Sequence, residues 1–214
     1  MIHAQQAPKE LGDRRPAVVV VDMQNDYCHP DGVFARAGLE LGDLDGLVAR
    51  VNALVAGGRR AGAPVIWVKM AWDDDEAPGL LAQRSPFLAA EGLRRGTWGS
   101  ALVDGLDVAA QDVVVEKTRF SAFFDTDLER RLLDSGVTTL VIAGVRTDFC
   151  VESTVRDAMF RDFEVVVPRD TVAGYVAELH QHSLQVMGTV FAWVVSLDEA
   201  LALLGSGSPS LQEV

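Results

Sequence analysis

Cysteine is scarce in this 214-residue chain, where only Cys28 and Cys150 occur, far apart in sequence. That excludes the disulfide-dense scaffold of small secreted domains and favours a reduced intracellular protein, with a single bridge left open. Lysine is rarer still against arginine: Lys9, Lys69 and Lys117 stand beside sixteen arginines. Basic charge as a whole is short, with 19 Lys and Arg against 31 Asp and Glu and a formal net charge of −12. Nucleic acid and anionic membrane both need a basic face, so neither is expected as a partner. Apolar runs stay at strand length, which excludes a transmembrane helix. The stretch Met1 to Arg15 lacks the apolar core of a signal peptide, and the expected location is the cytoplasm. A glycine-rich dinucleotide fingerprint is also missing after the first apolar strand, where Asp22-Met-Gln-Asn stands instead, so a nicotinamide-dependent dehydrogenase is disfavoured.

What is present is 49% hydrophobic residues, enough for one ordinary domain. That domain is expected over residues 16–204, between a flexible arm at 1–15 and a flexible tail at 205–214. Continuous apolar strands are predicted at 17–22, 65–68, 113–117, 139–143, 165–167 and 191–194. Apolar residues at helical spacing predict helices near 43–61, 176–187 and from Cys150 to about Phe160, with Asp125 or Thr126 capping another through Leu133. Gly62 and Pro64 end the first of these. Strands that alternate with helices, without inside-outside alternation of their own, indicate an α/β protein. The expected form is a three-layer α/β/α Rossmann-like sandwich on a six-stranded, mainly parallel sheet. Residues 71–99, rich in Asp, Pro, Gly and Arg, read as an irregular insertion long enough to cover a substrate.

In such sheets ligands bind beyond the carboxyl ends of the strands. Three chemically distinctive residues fall there: Asp22, Lys117 and Cys150. Cys150 follows a strand and a glycine-containing turn at the start of a helix, where unpaired N–H groups and the helix dipole favour a thiolate and could hold an oxyanion. A carboxylate could take the thiol proton and return it to a leaving amine, while an ammonium holds the charges in register. Singly, each has an ordinary reading: Asp22 as a turn cap, Lys117 as a snorkelling edge residue, Cys150 as an inert core thiol. Their joint placement favours catalysis. Cys28, near the same rim, reads as a bystander thiol, and Asp73-Asp-Asp-Glu76 as a solvated loop rather than a cation site. His180 and His182, two apart on a helix, make a poor metal pair. Tyr27, Trp72, Trp98, Phe120 and Phe149 fall near predicted strand ends, several of them as walls of a small, partly apolar pocket.

Three motifs, Val-Val-Asp22-Met-Gln-Asn-Asp-Tyr27, Glu-Lys117-Thr-Arg-Phe-Ser-Ala-Phe123 and Gly144-Val-Arg-Thr-Asp-Phe-Cys150-Val-Glu-Ser-Thr154, resemble the isochorismatase-like cysteine hydrolase superfamily from about Ala17 to Trp193. The resemblance implies an Asp–Lys–Cys triad at Asp22, Lys117 and Cys150. It also implies a cis peptide between Val145 and Arg146, with an oxyanion held by the backbone N–H groups of Arg146 and Cys150. The activity implied is hydrolysis of a ureido, carbamoyl, amide or lactam C–N bond of a small molecule through a thioester. The alternatives are vinyl-ether hydrolysis by an isochorismatase proper, against which Cys150 counts, and a non-catalytic binding member of the fold. Ureidoacrylate amidohydrolases are most similar, sharing Trp72-Asp73, Lys117-x-Arg119, Phe123-Phe124 and Cys150-Val-Glu-Ser-Thr154, although Met70 stands where they tend to carry an amide side chain. Nicotinamidases of the superfamily bind a metal through an Asp and histidines after the second strand. Met70-Ala-Trp-Asp-Asp-Asp75 has no histidine, so neither metal nor other cofactor is expected. Substrate contacts are expected from Tyr27, Trp72, Arg119, Phe120 and Phe149, with Arg119 or Arg146 as partner for a substrate carboxylate. A homo-oligomer, dimer or tetramer, is expected.

Overall fold

A computed structural model describes residues 7–73 and 79–206. Six strands, β1 (Pro16–Val21), β2 (Val65–Met70), β3 (Val113–Lys117), β4 (Thr139–Val145), β5 (Glu164–Pro168) and β7 (Trp193–Val195), lie in the order β3-β2-β1-β4-β5-β7. Every pair is parallel. A further two-residue strand, β6 (Val172–Ala173), pairs with the end of β4, so the sheet has seven strands among the described residues rather than six. The central strands are apolar throughout because both faces are covered: Val18 to Val21 and all of β4 are buried. β3, at the edge, alternates instead, with Val114 exposed.

The helices follow from connection handedness. The chain steps outward from β1 through β2 to β3, then crosses back to β4 and proceeds through β5 to β7. Right-handed crossovers place the helix after β1 on one face and those after β3, β4 and β5 on the other. After β1 the chain forms two single turns, α1 (Asn25–Cys28) and α2 (Val33–Arg36), then the long α3 (Leu44–Arg60). Asp43 caps α3 by accepting from Gly46 N at 3.0 Å, and Gly62, at φ 73°, ends it as expected. Between β2 and β3 lie α4 (Leu80–Arg84) and α5 (Pro86–Glu91), so part of the expected irregular insertion is helical; residues 74–78 lie outside the described residues. On the opposite face run α6 (Leu128–Asp134), α7 (Glu152–Met159) and α8 (Ala177–Val190), and after β7 the chain returns through α9 (Leu197–Gly205) to pack on α3. α6 starts later than expected: Thr126 Oγ1 donates to Ala122 O at 2.6 Å and so closes the preceding turn.

The strand order reverses direction between β1 and β4. At that switch point the loops leaving neighbouring strands diverge and open a crevice. The described part of the N-terminal arm is held to the domain, in contrast to the flexibility expected of it. Leu11 is fully buried, its N–H donates to Ser206 Oγ at 3.2 Å, and Arg14 pairs with Glu164. The expected flexible ends beyond this, residues 1–6 and 207–214, lie outside the described residues.

Candidate active site

Asp22 ends β1 in the left-handed region at φ 52°, a conformation aspartate tolerates better than most residues, and its N–H still donates to Val68 O at 2.8 Å. Lys117 ends β3, one strand beyond β2. Cys150 lies in a π-helical turn, Thr147–Val151, that runs into α7. Gly144 lets β4 approach β1 closely enough for this: its φ is 112°, and a Cβ there would meet Val21 O at 2.0 Å. The following Val145–Arg146 peptide is cis. Three distant strand ends thereby bring Asp22, Lys117 and Cys150 into one buried cluster.

Lys117 Nζ donates to Asp22 Oδ2 at 2.7 Å and to Arg119 O at 3.0 Å, with both ionic side chains fully buried. Asp22 Oδ1 is buried without a hydrogen-bond partner, and both the Cys150 thiol and the Met70 N–H, which donates to Gln24 Oε1, bear on the carboxylate. Burial raises the Asp22 carboxyl, with Lys117 and Cys150 offsetting part of the rise. Burial alone would lower the Lys117 ammonium, but Asp22 and Cys150 turn the net direction upward. Burial and then the Asp22 charge push the Cys150 thiol far up, against the pull of Lys117. Desolvation and the neighbouring anion thus act against the thiolate formation suggested by the sequence. Burial favours a neutral thiol beside a carboxylate–ammonium pair. Two anions against one cation would leave net charge in a dry site. Moving the thiol proton to Asp22 instead keeps the net charge unchanged.

Cys150 opens onto a cavity of about 470 Å³. Tyr27 and Phe34 line it from α1 and α2, and Leu80, Leu81, Arg84, Ser85 and Leu88 from α4, α5 and the residue between them. Arg119, Phe120, Arg146 and Phe149 complete it from the loops after β3 and β4. Four of the five expected contact residues thus face one space. Trp72 does not: it is fully buried, and its indole N–H donates to Thr118 O at 3.2 Å. An aromatic near a strand end is equally suited to the core, and here the core takes it. Tyr27 donates to Met70 Sδ at 3.3 Å, and burial raises its phenol well above the ordinary range. Arg146 is folded inward, pairing with Asp148 at 2.7 Å and stacking on Phe149 and Tyr175 at 4.2 and 4.7 Å from their ring centres.

Several residues that shape the site had no readable function in the sequence. Gln24 donates to Met70 O and Ser100 O and accepts from Met70 N at 2.8 Å, fixing the loop after Asp22 to the end of β2. Asp26 accepts from Val33 N at 3.2 Å and Leu93 N at 2.6 Å, fastening α2 and the far end of the α4–α5 segment. Thr154 accepts from Ala122 N and donates to Cys150 O at 2.7 Å, tying the loop after β3 to the cysteine turn. Cys28 is buried outside the main cavity. Asp73 pairs with Arg95 at 2.7 Å, and its acidic neighbours Asp74, Asp75 and Glu76 lie outside the described residues. His180 Nδ1 is 2.8 Å from Thr147 Oγ1 and is turned to that structural contact. Among the described residues no group of three or more His, Cys, Asp and Glu side chains gathers to hold a metal, and no helix is long and apolar enough to cross a membrane.

The model of the isochorismatase domain matches residues 16–199, from the first residue of β1 into α9. The chain belongs to the isochorismatase family. Within this family it resembles the ureidoacrylate amidohydrolase RutB of Methylobacterium radiotolerans, with 34% identity covering 96% of this chain and 85% of that protein. The fold is similar to that of a cysteine hydrolase from Pseudomonas syringae pv. phaseolicola, with a TM-score of 0.81, 26% identity and coverage of 90% and 93% of the two chains. It is also similar to N-carbamoylsarcosine amidase from Thermoplasma acidophilum, with a TM-score of 0.71, 29% identity and coverage of 86% and 97%. The family domain includes all three strand ends that meet at the cluster.

Proposed function

We propose that this protein is a cysteine-dependent amidohydrolase that cleaves a C–N bond of a small ureido, carbamoyl, amide or lactam compound through a thioester. The observation that carries the reading is the gathering of Asp22, Lys117 and Cys150 in one buried cluster, with Lys117 Nζ on Asp22 Oδ2 and Asp22 Oδ1 left without a partner. The names of two relatives, an amidohydrolase and an amidase, support the choice of C–N bond.

In the first half-reaction the thiol proton passes to Asp22 as Sγ bonds to the carbonyl carbon. The C=O electron pair moves onto oxygen, where the backbone N–H groups of Arg146 and Cys150 hold it. The pair returns, the C–N bond breaks, and Asp22 gives its proton to the departing nitrogen. Lys117 stays protonated throughout, balancing whichever of Asp22 or Cys150 carries the negative charge. In the second half-reaction Asp22 takes a proton from water, the hydroxyl oxygen attacks the thioester, and the proton returns to sulfur as the acid leaves. No step requires a redox partner.

Replacing Cys150 with Ala should lower kcat on any accepted amide by roughly 10⁴-fold or more, whereas Cys28→Ala should retain most activity. Turnover retained in the Cys150 variant would overturn the mechanism.

A further inference from the structure

The cavity departs from the rest of the molecule in charge. The chain carries 31 acidic residues against 19 basic ones, yet among the described residues no Asp or Glu lines this space and three arginines do. Those arginines are not equivalent. Arg146 has its charge answered by Asp148 at 2.7 Å and its face covered by two aromatic rings. Arg119 is half-buried and its Nη1 donates only to the neighbouring Thr118 O at 2.8 Å, a neutral acceptor. Its Nη2 reaches across to within 3.2 Å of the Cβ position of Gly79, at the start of the segment that covers the cavity. Arg84, on that segment, is exposed. Neither Arg84 nor Arg119 pairs with a carboxylate among the described residues. A half-buried guanidinium with a forked donor set and no carboxylate partner among the described residues suits a carboxylate, which it can engage bidentately.

The rest of the wall is mostly apolar. Phe34 and Leu88 are buried, and Phe120 and Phe149 meet edge to face at 5.2 Å. At about 470 Å³ the space falls among clefts of roughly 300–1,000 Å³ that take ligands of drug-like size. A three-carbon ureido acid would leave much of that apolar wall uncovered.

We infer that the substrate is a carboxylate-bearing ureido or amide compound with an aromatic or branched aliphatic body, its carboxylate held by Arg119 with Arg84 at the rim. Arg119 is then the residue that sets specificity for an acid over its neutral counterpart, and the apolar wall sets the preference for bulk. This rests on the amidohydrolase reading for the nature of the scissile bond, but the ligand class follows from the cavity.

Titration calorimetry on the Cys150→Ala protein tests it without turnover, using N-carbamoyl-phenylalanine, its neutral carboxamide and N-carbamoylglycine. The first should bind at least tenfold tighter than either of the others. Adding Arg119→Ala, or Arg119→Gln should the first variant fold poorly, should bring acid and carboxamide within about twofold, with the acid losing much the larger share of its affinity. Equal affinities for acid and carboxamide, equal affinity for the glycine compound, or no binding of any of the three would overturn the inference. The same panel assayed with the intact enzyme separates the two readings. Turnover without acid or size preference sinks only the inference, whereas selective binding without cleavage of any C–N bond sinks the hydrolase.

Discussion

Asp22 works against the residue it is proposed to activate, because its negative charge raises the Cys150 thiol. This separates two roles that are usually confounded. A carboxylate that merely stabilised a thiolate would lower the thiol pKa; one that accepts its proton during attack can raise it at rest. Replacing Asp22 with Asn removes a raising influence and leaves the Lys117 ammonium beside the sulfur. Alkylation of Cys150 by iodoacetamide at neutral pH should therefore accelerate in Asp22→Asn, while kcat on an accepted amide falls by roughly 10²–10⁴-fold, the usual worth of a general base. In the unaltered protein alkylation should stay slow at neutral pH and rise only on the alkaline side of an ordinary thiol's range. Slower alkylation in the variant would show that Asp22 stabilises the thiolate instead. At this scale the sequence was informative because Asp22 and Lys117 each end an apolar strand and Cys150 follows one by a short turn. The inward fold of Arg146 onto Asp148 was not legible, since a contact two residues away depends on the turn that carries both.

The same contrast holds for elements. β1 and β4 were readable because burial on both faces demands unbroken apolar runs, and α3 because its apolar residues recur at helical spacing. β6 has two residues and no periodicity to read. α9 did have a signature: Ser196 accepts from Glu199 N at 3.2 Å, and Glu199 accepts from Ser196 N at 2.6 Å, a reciprocal cap written as Ser-x-x-Glu. The segment carrying α4 and α5 was legible only as a cover, because the contacts that fasten it leave no periodic pattern. Asp26 is one of these, with one carboxylate oxygen for α2 and the other for Leu93 N. Asp26→Asn would turn an NH₂ group toward one of those N–H donors, at a cost of about 1–3 kcal/mol for an unsatisfied buried group. Amide exchange at Leu93 should quicken, and KM should rise by more than kcat falls, since the cover is loosened while the Cys150 cluster is untouched. Unchanged exchange at Leu93 would show that the segment is held by other contacts.

At the scale of the whole molecule, parallel strand order explains why residues 95 positions apart, Asp22 and Lys117, share a hydrogen bond. The switch point between β1 and β4 opens the crevice, and the loops beyond β3 and β4 supply its walls. The sequence placed the catalytic candidates at one rim of this sheet. It could not rank the aromatics there, and Trp72 went to the core while Phe34, from a short helix with no periodic signal, went to the cavity. All of this converges on the proposal that the Cys150 sulfur becomes covalently linked to substrate. Intact-mass spectrometry of the unaltered protein, quenched rapidly during turnover of a pooled set of ureido, carbamoyl and amide compounds, addresses that point directly. The expected result is an acyl mass added to the peptide containing Cys150, absent from Cys150→Ala and discharged by water. Product formation with no adduct at any quench time, or an adduct on Cys28, would contradict it.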